Sequence, residues 1–224
     1  MRALDLFCCA GGASMGLHRA GFEVVGVDIV PRPSYPFAFI QANALEVELA
    51  GFDLVWASPP CQAYTTAQHA AREKRVEGRV DLIPATRAKL EASGVPFIIE
   101  NVAGAPLKSS RVMLCGSMFG LRVIRHRYFE CSFAVTPPAH RHQGSLVTGE
   151  YLTVTGNLGI PAWTMREREK RGLPRHMPGE MKLETRAAAM GIDWMSTAEL
   201  SQAIPPAYSE FLARAFLSTR RAAA

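Results

Sequence analysis

Residues 53–62 read Asp-Leu-Val-Trp-Ala-Ser-Pro-Pro-Cys-Gln, and they give the clearest indication of an α/β sheet in the chain. Its apolar residues 54–57 are typical of a strand buried in an α/β sheet. Two prolines end the strand, because proline cannot donate to a neighbouring strand and fixes its own φ. Cys61 therefore lies on a stiff turn at the carboxyl end of a strand, where open α/β sheets bind ligands. A thiolate is a strong nucleophile, but free cysteines are usually small buried residues, so this stretch alone leaves both interpretations open.

The first 28 residues predict a strand, a helix and a second strand, at residues 2–7, 13–20 and 23–27. Gly11 and Gly12 would let a ligand approach the backbone at the helix N-terminus. Asp28 ends the second strand, where a carboxylate can accept hydrogen bonds from both ribose hydroxyls. Asn43 follows a third short strand at residues 37–40 and could contact an adenine, although asparagine there is more often a turn former. The pattern predicts a nucleoside site, and a purely structural tight turn is the alternative.

Two further polar groups follow predicted strands. Residues 94–99 form a buried strand that delivers Glu100 at its carboxyl end. A glutamate there needs a partner if it is buried, and a solvated loop acid is the alternative. Strands are also predicted at residues 112–115 and 127–133, and Arg125-His126-Arg127 stands at the start of the second. Strand alternation puts Arg125 and Arg127 on one face and His126 on the other, and His126 alone is interpreted as structural.

The 224 residues, 48% of them hydrophobic, fit one soluble globular domain. The N-terminus begins directly with a strand pattern, so we expect neither a secretory signal nor a membrane span and predict a cytoplasmic protein. The chain contains five cysteines, an odd number. They include no Cys-x-x-Cys pair, and no framework of histidines for zinc lies near them along the chain. They are interpreted as reduced thiols, and no metal is expected.

The net charge of +5 is concentrated in two segments, residues 66–90 and 163–182, each with six basic and three acidic side chains. Such segregation suits a polyanionic partner, and solvated helix faces are the alternative. Regular periodicity fails over residues 135–181, which are rich in glycine and proline and predict a loop-rich insert. Short helices are predicted to return after it. We therefore divide the chain into a cofactor-binding domain at 1–134, an insert at 135–181, and C-terminal helices at 182–224 that complete the domain.

With these pieces in order, the chain resembles the DNA (cytosine-5) methyltransferases that use S-adenosylmethionine. The resemblance spans nearly the whole chain except residues 135–180, and the spacing of Pro-Pro-Cys-Gln and Glu-Asn-Val is its most specific part. The matching stretches are Asp5-Leu-Phe-Cys-Cys-Ala-Gly-Gly12, Asp28, Ser58-Pro-Pro-Cys-Gln62, Glu100-Asn-Val102, Arg125-His-Arg127, Leu183-Glu-Thr-Arg-Ala-Ala-Ala-Met-Gly191 and Gln202-Ala-Ile-Pro-Pro206.

The resemblance implies a Rossmann-like α/β methyltransferase fold, with a mostly parallel central sheet and helices on both faces. It also implies catalytic roles. Cys61 would add to cytosine C6, which raises the electron density at C5. Glu100 would protonate the ring at N3, and Arg127, supported by Arg125, would stabilise the charge at O2. The target base would be flipped out of double-stranded DNA, because its reacting atoms are stacked within the duplex.

S-adenosylmethionine is the implied cofactor, and the implied cofactor-binding residues are Phe7, Gly11, Gly12, Asp28, Asn43 and Pro59. The chain departs from the family pattern at several positions. Cys9 replaces the first glycine of the usual turn, Asn43 stands where the family usually has aspartate, and residues 203–206 differ from the common Gly-Asn-Ser-Val. The insert is also much smaller than the family's usual target-recognition domain, so sequence selectivity could be short, relaxed or supplied by another subunit.

Three other functions are alternatives to methyl transfer to DNA. The same chemistry could act on a free nucleotide or RNA, for which the small insert is the motivation. A non-catalytic DNA-binding relative could keep the fold alone, although Cys61, Glu100 and Arg127 together argue against it. A nicotinamide-dependent oxidoreductase would share the first strand-helix-strand unit but would not need Pro-Pro-Cys-Gln. The sequence leaves the recognition site and the oligomeric state open.

Overall fold

The computed structural model describes residues 1–62, 64, 80–155 and 160–223. Within these residues, seven strands form one sheet in the order β3-β2-β1-β4-β5-β7-β6. The strands are β1 (Arg2–Leu6), β2 (Glu23–Asp28), β3 (Ala38–Gln41), β4 (Leu54–Ala57), β5 (Phe97–Asn101), β6 (Val112–Leu114) and β7 (Arg127–Cys131), and the helices are α1 (Gly12–Arg19), α2 (Ile83–Ser93), α3 (Ala162–Lys170), α4 (Leu183–Met190), α5 (Thr197–Gln202) and α6 (Pro206–Ala223).

The sheet is mostly parallel, and one strand runs against the others. Strands β1 to β5 pair in parallel, whereas β7 is antiparallel to both of its neighbours, β5 and β6. Alternate side chains of the sheet pack on opposite faces: Ala3 and Trp56 belong to the hydrophobic cluster with α1 and α6, whereas Leu4 and Val55 belong to the cluster with α2. The predicted α/β fold with helices on both faces is confirmed.

The strand order creates a crevice at the carboxyl edge of the sheet. Strand β1 lies between β2 and β4 in the sheet. The connection after β1 leads to β2 on one side, whereas the connection after β4 leads to β5 on the other side. Ligands of open α/β sheets bind at such a switch point. The turn after β1 begins at Phe7, and the loop after β4 begins at Ser58. Both predicted halves of the site therefore border this crevice.

Some element boundaries differ from the sequence prediction. Helix α3, for example, lies in a region predicted to be irregular. Helix α3 was missed because its sequence, AWTMREREK, is mostly polar and lacks an apolar stripe. Strand β5 continues through Glu100 and Asn101, because these residues pair with Phe129 and Tyr128 of β7. The three-part division of the chain at 135 and 182 stays a prediction.

Helices α1 and α6 approach each other closely, and glycine makes this possible. A Cβ atom at Gly12 would lie 2.4 Å from the carbonyl oxygen of Ile204, and one at Gly16 would lie 2.1 Å from that of Pro206. Real Cβ atoms do not approach so near, so a side chain at either position would push the C-terminal segment away. The sequence explained Gly12 by the approach of a ligand, but the space beside its Cα is filled by the protein itself.

The insert has a buried centre formed by an ion pair. Arg168, on α3, is fully buried and contacts both carboxylate oxygens of Glu180, at 2.7 and 3.1 Å. Its guanidinium also donates to the carbonyl oxygens of Val147, Leu146 and Arg175. The charge of Arg168 is thus neutralised inside the insert, and this member of the second basic segment is not free to bind a polyanion.

The first basic segment is also used partly by the fold. Arg87 forms a two-point ion pair with buried Glu130, at 2.9 and 2.7 Å, and Lys89 donates to the carbonyl oxygen of Val47. The remaining basic residues of that segment, Arg72, Lys74, Arg75 and Arg79, lie outside the described residues. The prediction of a basic surface there stays untested.

The Arg168–Glu180 pair should dominate the stability of the insert. Glu180→Gln leaves a buried guanidinium without its counter-charge, which costs roughly 3 kcal/mol in the free energy of unfolding. Denaturant unfolding measures this loss. Glu167→Gln is the matched control, because it removes the partner of exposed Lys170 on the same helix and should leave the midpoint unchanged. Equal effects of the two variants would contradict the structural role of the pair.

Candidate active site

The turn that carries Cys61 is held on two sides. The backbone N–H of Ser58 donates to the carbonyl oxygen of Leu6 in β1, at 3.1 Å. The side-chain amide of Asn101, at the end of β5, donates to the carbonyl oxygen of Pro59, at 2.9 Å. Pro59 is buried, whereas Cys61 is half-buried. Cys61 therefore follows a turn that is anchored to both neighbouring strands at the carboxyl edge of the sheet.

Glu100 has the partner that its position requires. Arg127 begins β7, and its Nε lies 3.2 Å from Oε1 of Glu100 on the adjacent strand β5. The hydroxyl of Ser58 donates to the same carboxylate and accepts from the indole N–H of Trp56, at 2.8 Å. Burial raises the pKa of Glu100 above its ordinary value, and Arg127 and Ser58 only partly oppose this effect. A carboxyl group with a raised pKa can hold a proton for transfer.

Cys61 lies close enough to Glu100, Arg127 and Arg125 for their charges to act on its thiol. Burial raises the pKa of the Cys61 thiol, and the negative charge of Glu100 raises it further. Arg127 and, more weakly, Arg125 act in the opposite direction. The thiol of the free protein is therefore less ionised than an exposed cysteine, and its ionisation depends on the charges of its neighbours.

Arg125 is a buried link between the site and the C-terminal half of the chain. Its guanidinium donates to the carbonyl oxygens of Val154 and Ser201, at 3.1 and 2.6 Å, and its own carbonyl oxygen accepts from the hydroxyl of Tyr208. Burial, with repulsion from Arg127, lowers the pKa of Arg125 to about 9. Arg125 thus supports the site by fixing the segment before β7, and Arg127 is the arginine that contacts Glu100.

The turn after β1 has an unusual backbone. Phe7 and Cys9 have left-handed φ angles of 61° and 49°, and Gly11 has a φ of 83°. Residues other than glycine adopt this region at a cost of roughly 1–2 kcal/mol, and such strain is typical of ligand sites. Cys9 stands where the resembled family has glycine, and its φ gives the physical reason for that preference. A side chain at position 11 would also be crowded, because its Cβ would lie 3.0 Å from the ring of Tyr35.

Asp28 and the N-terminus of α1 provide groups that fit a nucleoside cofactor. The carboxylate of Asp28 accepts from the backbone N–H groups of Cys9 and Val30, both at 3.0 Å, and pairs with Arg32 at 3.2 Å. Helix α1 begins after Gly11, which has no side chain to satisfy the N–H groups of the first turn. An acceptor for ribose hydroxyls and the positive end of a helix, which favours a carboxylate, thus border one crevice, and the residues present fit S-adenosylmethionine.

The side chain of Asn43 forms hydrogen bonds within the turn that contains it. Its side-chain oxygen accepts from the N–H of Leu45, at 3.1 Å, and its amide nitrogen donates to Glu46, at 2.8 Å. This is the turn-forming use of asparagine that the sequence analysis gave as the alternative. A contact of Asn43 with adenine stays a prediction.

Sequence reasoning missed Asp5, a buried acid on β1 behind the cofactor turn. Oδ2 of Asp5 accepts a short hydrogen bond from the hydroxyl of Ser14, which also bonds Tyr35. Its Oδ1 is buried without a hydrogen-bond partner among the described residues. Burial raises the pKa of Asp5 to about 7. An acid at the centre of an apolar strand was the available signal, because such a group must be paired or protonated.

Sequence reasoning also missed a group of side chains beside β7. The ligand atoms of Cys115, His126, His140 and His142 all lie within 4.8 Å of one another. No histidine framework lies near a cysteine along the chain, but the fold brings three histidines close to Cys115. The pair His140 and His142, two residues apart, was the available signal.

None of the helices in the described part of the chain is both long enough and apolar enough to cross a membrane.

Comparisons with known proteins relate this chain to others by structure. No protein-family model matches the sequence, and no curated protein matches it. A protein assigned as a DNA modification methyltransferase, encoded within a prophage of E. coli, matches with a TM-score of 0.61 at 14% identity, over 97% of this chain and 99% of that one. A mutant of Spodoptera frugiperda DNMT2 matches with a TM-score of 0.57 at 12% identity, over 97% of this chain and 100% of that one. Dnmt2 methyltransferase of S. pombe matches with a TM-score of 0.55 at 13% identity, over 98% and 99%. At these identities the likeness establishes a shared Rossmann-like methyltransferase fold over nearly the whole chain.

The charges around Cys61 should control its reactivity. Glu100→Gln removes the negative charge that raises the pKa of the Cys61 thiol, and it should raise the rate of alkylation by iodoacetamide several-fold. Arg127→Met should lower the rate, because it removes a positive charge that stabilises the thiolate. Mass spectrometry of the Cys61 peptide measures both rates, and Cys131 is the internal control. If both variants changed the rate in the same direction, the assigned electrostatics would be wrong.

Asp5 should make the protein less stable as the pH rises. Its proton is held more tightly in the folded than in the unfolded state, so stability falls between about pH 4 and pH 7 by an amount on the order of 4 kcal/mol. Asp5→Asn should reduce this slope and raise the relative stability at pH 8. Denaturant unfolding across this pH range measures the effect, with Asp193→Asn at an exposed position as the control. An unchanged slope in Asp5→Asn would rule out Asp5 as its source.

Proposed function

We propose that this chain is an S-adenosylmethionine-dependent DNA (cytosine-5) methyltransferase, which forms a covalent bond between Cys61 and C6 of a flipped cytosine. What supports the proposal is the contact of Arg127 with Glu100, at 3.2 Å, and the electrostatic influence of both groups on Cys61, which follows the neighbouring strand β4. Each group has a different chemical task on the same pyrimidine ring. The structural likeness to methyltransferases, of which one is assigned to DNA modification, supports the same class of reaction.

The nucleophilic step begins with the Cys61 thiolate. Cytosine C5 is too weak a nucleophile to take a methyl group, and addition of sulfur to C6 moves electron density to C5. Arg127 favours the thiolate electrostatically, whereas burial and Glu100 oppose it. Protonation of Glu100 on binding the base would remove this opposition, so substrate binding itself would activate the thiol.

Glu100 and Arg127 would act on the opposite side of the ring. A protonated Glu100 can donate to N3 as Cys61 adds to C6, and its raised pKa favours this proton-holding state. Arg127 lies against Glu100 and would donate to O2, where negative charge also develops. Arg125 would act as a positioning residue, because its guanidinium is already bonded to the carbonyl oxygens of Val154 and Ser201.

The cofactor side would be formed by the turn after β1 and by Asp28. When bound, S-adenosylmethionine supplies an electrophilic methyl group on its sulfonium sulfur. Asp28 would hold the ribose, the N-terminus of α1 would receive the carboxylate, and Phe7 and Pro59 would border the methionine part. Solvent would then take the C5 proton, Cys61 would leave C6 as a thiolate, and N3 would return its proton to Glu100, so that the product is 5-methylcytosine.

Double-stranded DNA is the proposed substrate, and the insert at 135–181 is its proposed recognition region. Arg168 and Glu180 give the insert an ordered centre despite its irregular sequence. Its exposed basic residues, among them Arg166, Arg171 and Arg175, remain available for phosphate contacts. Such a small region would make few base contacts, so we expect short or relaxed sequence selectivity.

The test uses transfer of labelled methyl groups from S-adenosylmethionine to duplex DNA, to RNA of the same sequence and to dCTP. We expect transfer to duplex DNA, and loss of it in Cys61→Ala, because no thiolate can then add to C6. Cys131→Ala is the matched control and should keep its activity. Glu100→Gln should lower the rate by roughly 10²–10⁴-fold.

Duplex DNA containing 5-fluorocytosine provides a direct readout. Fluorine at C5 cannot leave as a proton does, so the adduct with Cys61 should persist and be visible as a protein–DNA band. Sequencing around the trapped base would give the recognition site. If methyl groups were transferred only to RNA or to dCTP, duplex DNA would not be the substrate. An active Cys61→Ala protein would refute the covalent mechanism.

A further inference from the structure

A group of one cysteine and three histidines lies beside the candidate active site without a role in the proposed reaction. In the described part of the chain, the ligand atoms of Cys115, His126, His140 and His142 converge within 4.8 Å of one another. We call these four residues the CysHis3 cluster. The residues come from three separate segments: the end of β6, the start of β7 and the beginning of the insert. No role in the fold requires all four donor atoms to point at one place.

The antiparallel pairing of β6 with β7 brings the first two members together. Leu114 is opposite Arg127 in this pair, so the next residues outward, Cys115 and His126, face each other where the two strands separate. Directly opposite residues of an antiparallel pair have Cβ atoms roughly 5 Å apart. The connection between them, residues 116–125, is closely packed, since a Cβ at Gly116 would lie 2.2 Å from the carbonyl oxygen of Val123. The Sγ atom of Cys115 and a ring nitrogen of His126 consequently lie within 4.8 Å of each other.

His140 and His142 complete the cluster from the insert. They are two residues apart in a segment without helical structure, so both side chains can project from the same side. The ring of His142 packs against Tyr151 with centroids 5.8 Å apart, and the N–H of Gln143 donates to the Tyr151 hydroxyl at 3.0 Å. Tyr151 is buried and so fixes this segment.

Three of the six donor-atom distances within the cluster are close to those between the ligands of a tetrahedral zinc ion, and all six are within 4.8 Å. Zn–N bonds of about 2.0–2.1 Å and a Zn–S bond of about 2.3 Å place two nitrogens about 3.3 Å apart, and sulfur and nitrogen about 3.5 Å apart. The Sγ of Cys115 lies 3.5 Å from Nε2 of His142. The Nε2 atom of His140 lies 3.2 Å from that of His126 and 2.9 Å from that of His142.

The donor set also selects the kind of metal. One sulfur and three imidazole nitrogens suit Zn²⁺, whereas Mg²⁺ and Ca²⁺ require oxygen ligands. Four protein ligands leave no open position, which is the arrangement of a structural rather than a catalytic zinc site. Cys115 is buried, but His140 and His142 are exposed, so an ion can enter from solvent.

We propose that Cys115, His126, His140 and His142 bind one Zn²⁺ ion, which fastens the beginning of the insert to the segment that carries Arg125 and Arg127. On binding, the Cys115 thiol releases its proton to solvent, and the three imidazoles bind as neutral ligands. His126 stands between the two arginines of the site, so the ion fixes the backbone on which both are carried. This inference concerns metal binding and does not depend on the proposed methyl transfer.

Metal content tests the proposal directly. The full-length chain, produced without a histidine tag and dialysed against metal-free buffer, should retain about one zinc per chain by inductively coupled plasma mass spectrometry. Cys115→Ser and His142→Ala should lower the affinity for zinc by at least about 100-fold, because loss of a ligand exceeds the 10–100-fold effect typical of outer-shell changes. His176→Ala, an exposed histidine of the same insert, is the matched control and should retain zinc.

Two further readouts keep the proposal falsifiable if a variant is unstable. Co²⁺ added to the metal-free protein should give the absorption of a tetrahedral site with a thiolate ligand, and the thiolate-to-metal band should be absent in Cys115→Ser. Zinc at a thousandfold excess over its Kd should raise Tm by about 10 °C in the parent and in His176→Ala, but not in His142→Ala. The proposal is overturned if the parent chain retains no zinc, if Cys115→Ser and His142→Ala retain as much as the parent, or if Mg²⁺ produces the same stabilisation.

Discussion

The antiparallel insertion of β7 between β5 and β6 is the constraint on which the candidate site depends. In a parallel sheet only the carboxyl ends of strands reach the ligand edge, and these supply Cys61 and Glu100. Because β7 runs the other way, its amino end reaches the same edge, and Arg127 comes to lie 3.2 Å from Glu100. A parallel strand in this place would put Arg127 at the opposite edge of the sheet. The reversal of one strand thus gives the carboxylate a cationic partner.

This arrangement balances two opposing electrostatic effects. Burial raises the pKa of both Glu100 and Cys61, while Arg127 lowers both. Neither group is therefore driven fully into its charged form, and a proton can be exchanged as a base enters the pocket. The hydrogen bond from Asn101 to Pro59 joins the ends of β4 and β5, so the acid and the thiol keep their relative position.

The same reversal also organises the surroundings of the site. It sets Cys115 opposite His126 and directs Arg125 towards the carbonyl oxygens of Val154 and Ser201. Both arginines are thus carried by a segment that contacts the insert on one side and α5 on the other. Displacement of the insert would consequently be transmitted to the pocket, although only Arg127 contacts Glu100. A small insert with its own buried ion pair can in this way be part of the site rather than an appendage.

Most of the strands and the order of the chemical groups could be predicted from the sequence alone. The apolar runs around Leu4, Val55 and Ile98 are local patterns, and the prolines after β4 end that strand wherever it lies in the fold. The identities of Cys61 and Glu100 as residues at strand ends follow from the same local information. For these features the physical cause lies within a few residues of the feature itself.

Tertiary structure alone decided the remaining features, because their causes lie far apart in the chain. Gly12 is required by the carbonyl of Ile204, Arg168 is buried by Glu180 and by carbonyls of the preceding loop, and His126 meets His140 and His142 only through the pairing of β6 with β7. The periodicity of apolar residues indicates which side chains face a core. It does not indicate which partner a charged or polar side chain contacts there. The sequence by itself thus determined the sheet and its catalytic candidates, while the contacts between distant segments decided which charges are neutralised and which ligand atoms converge.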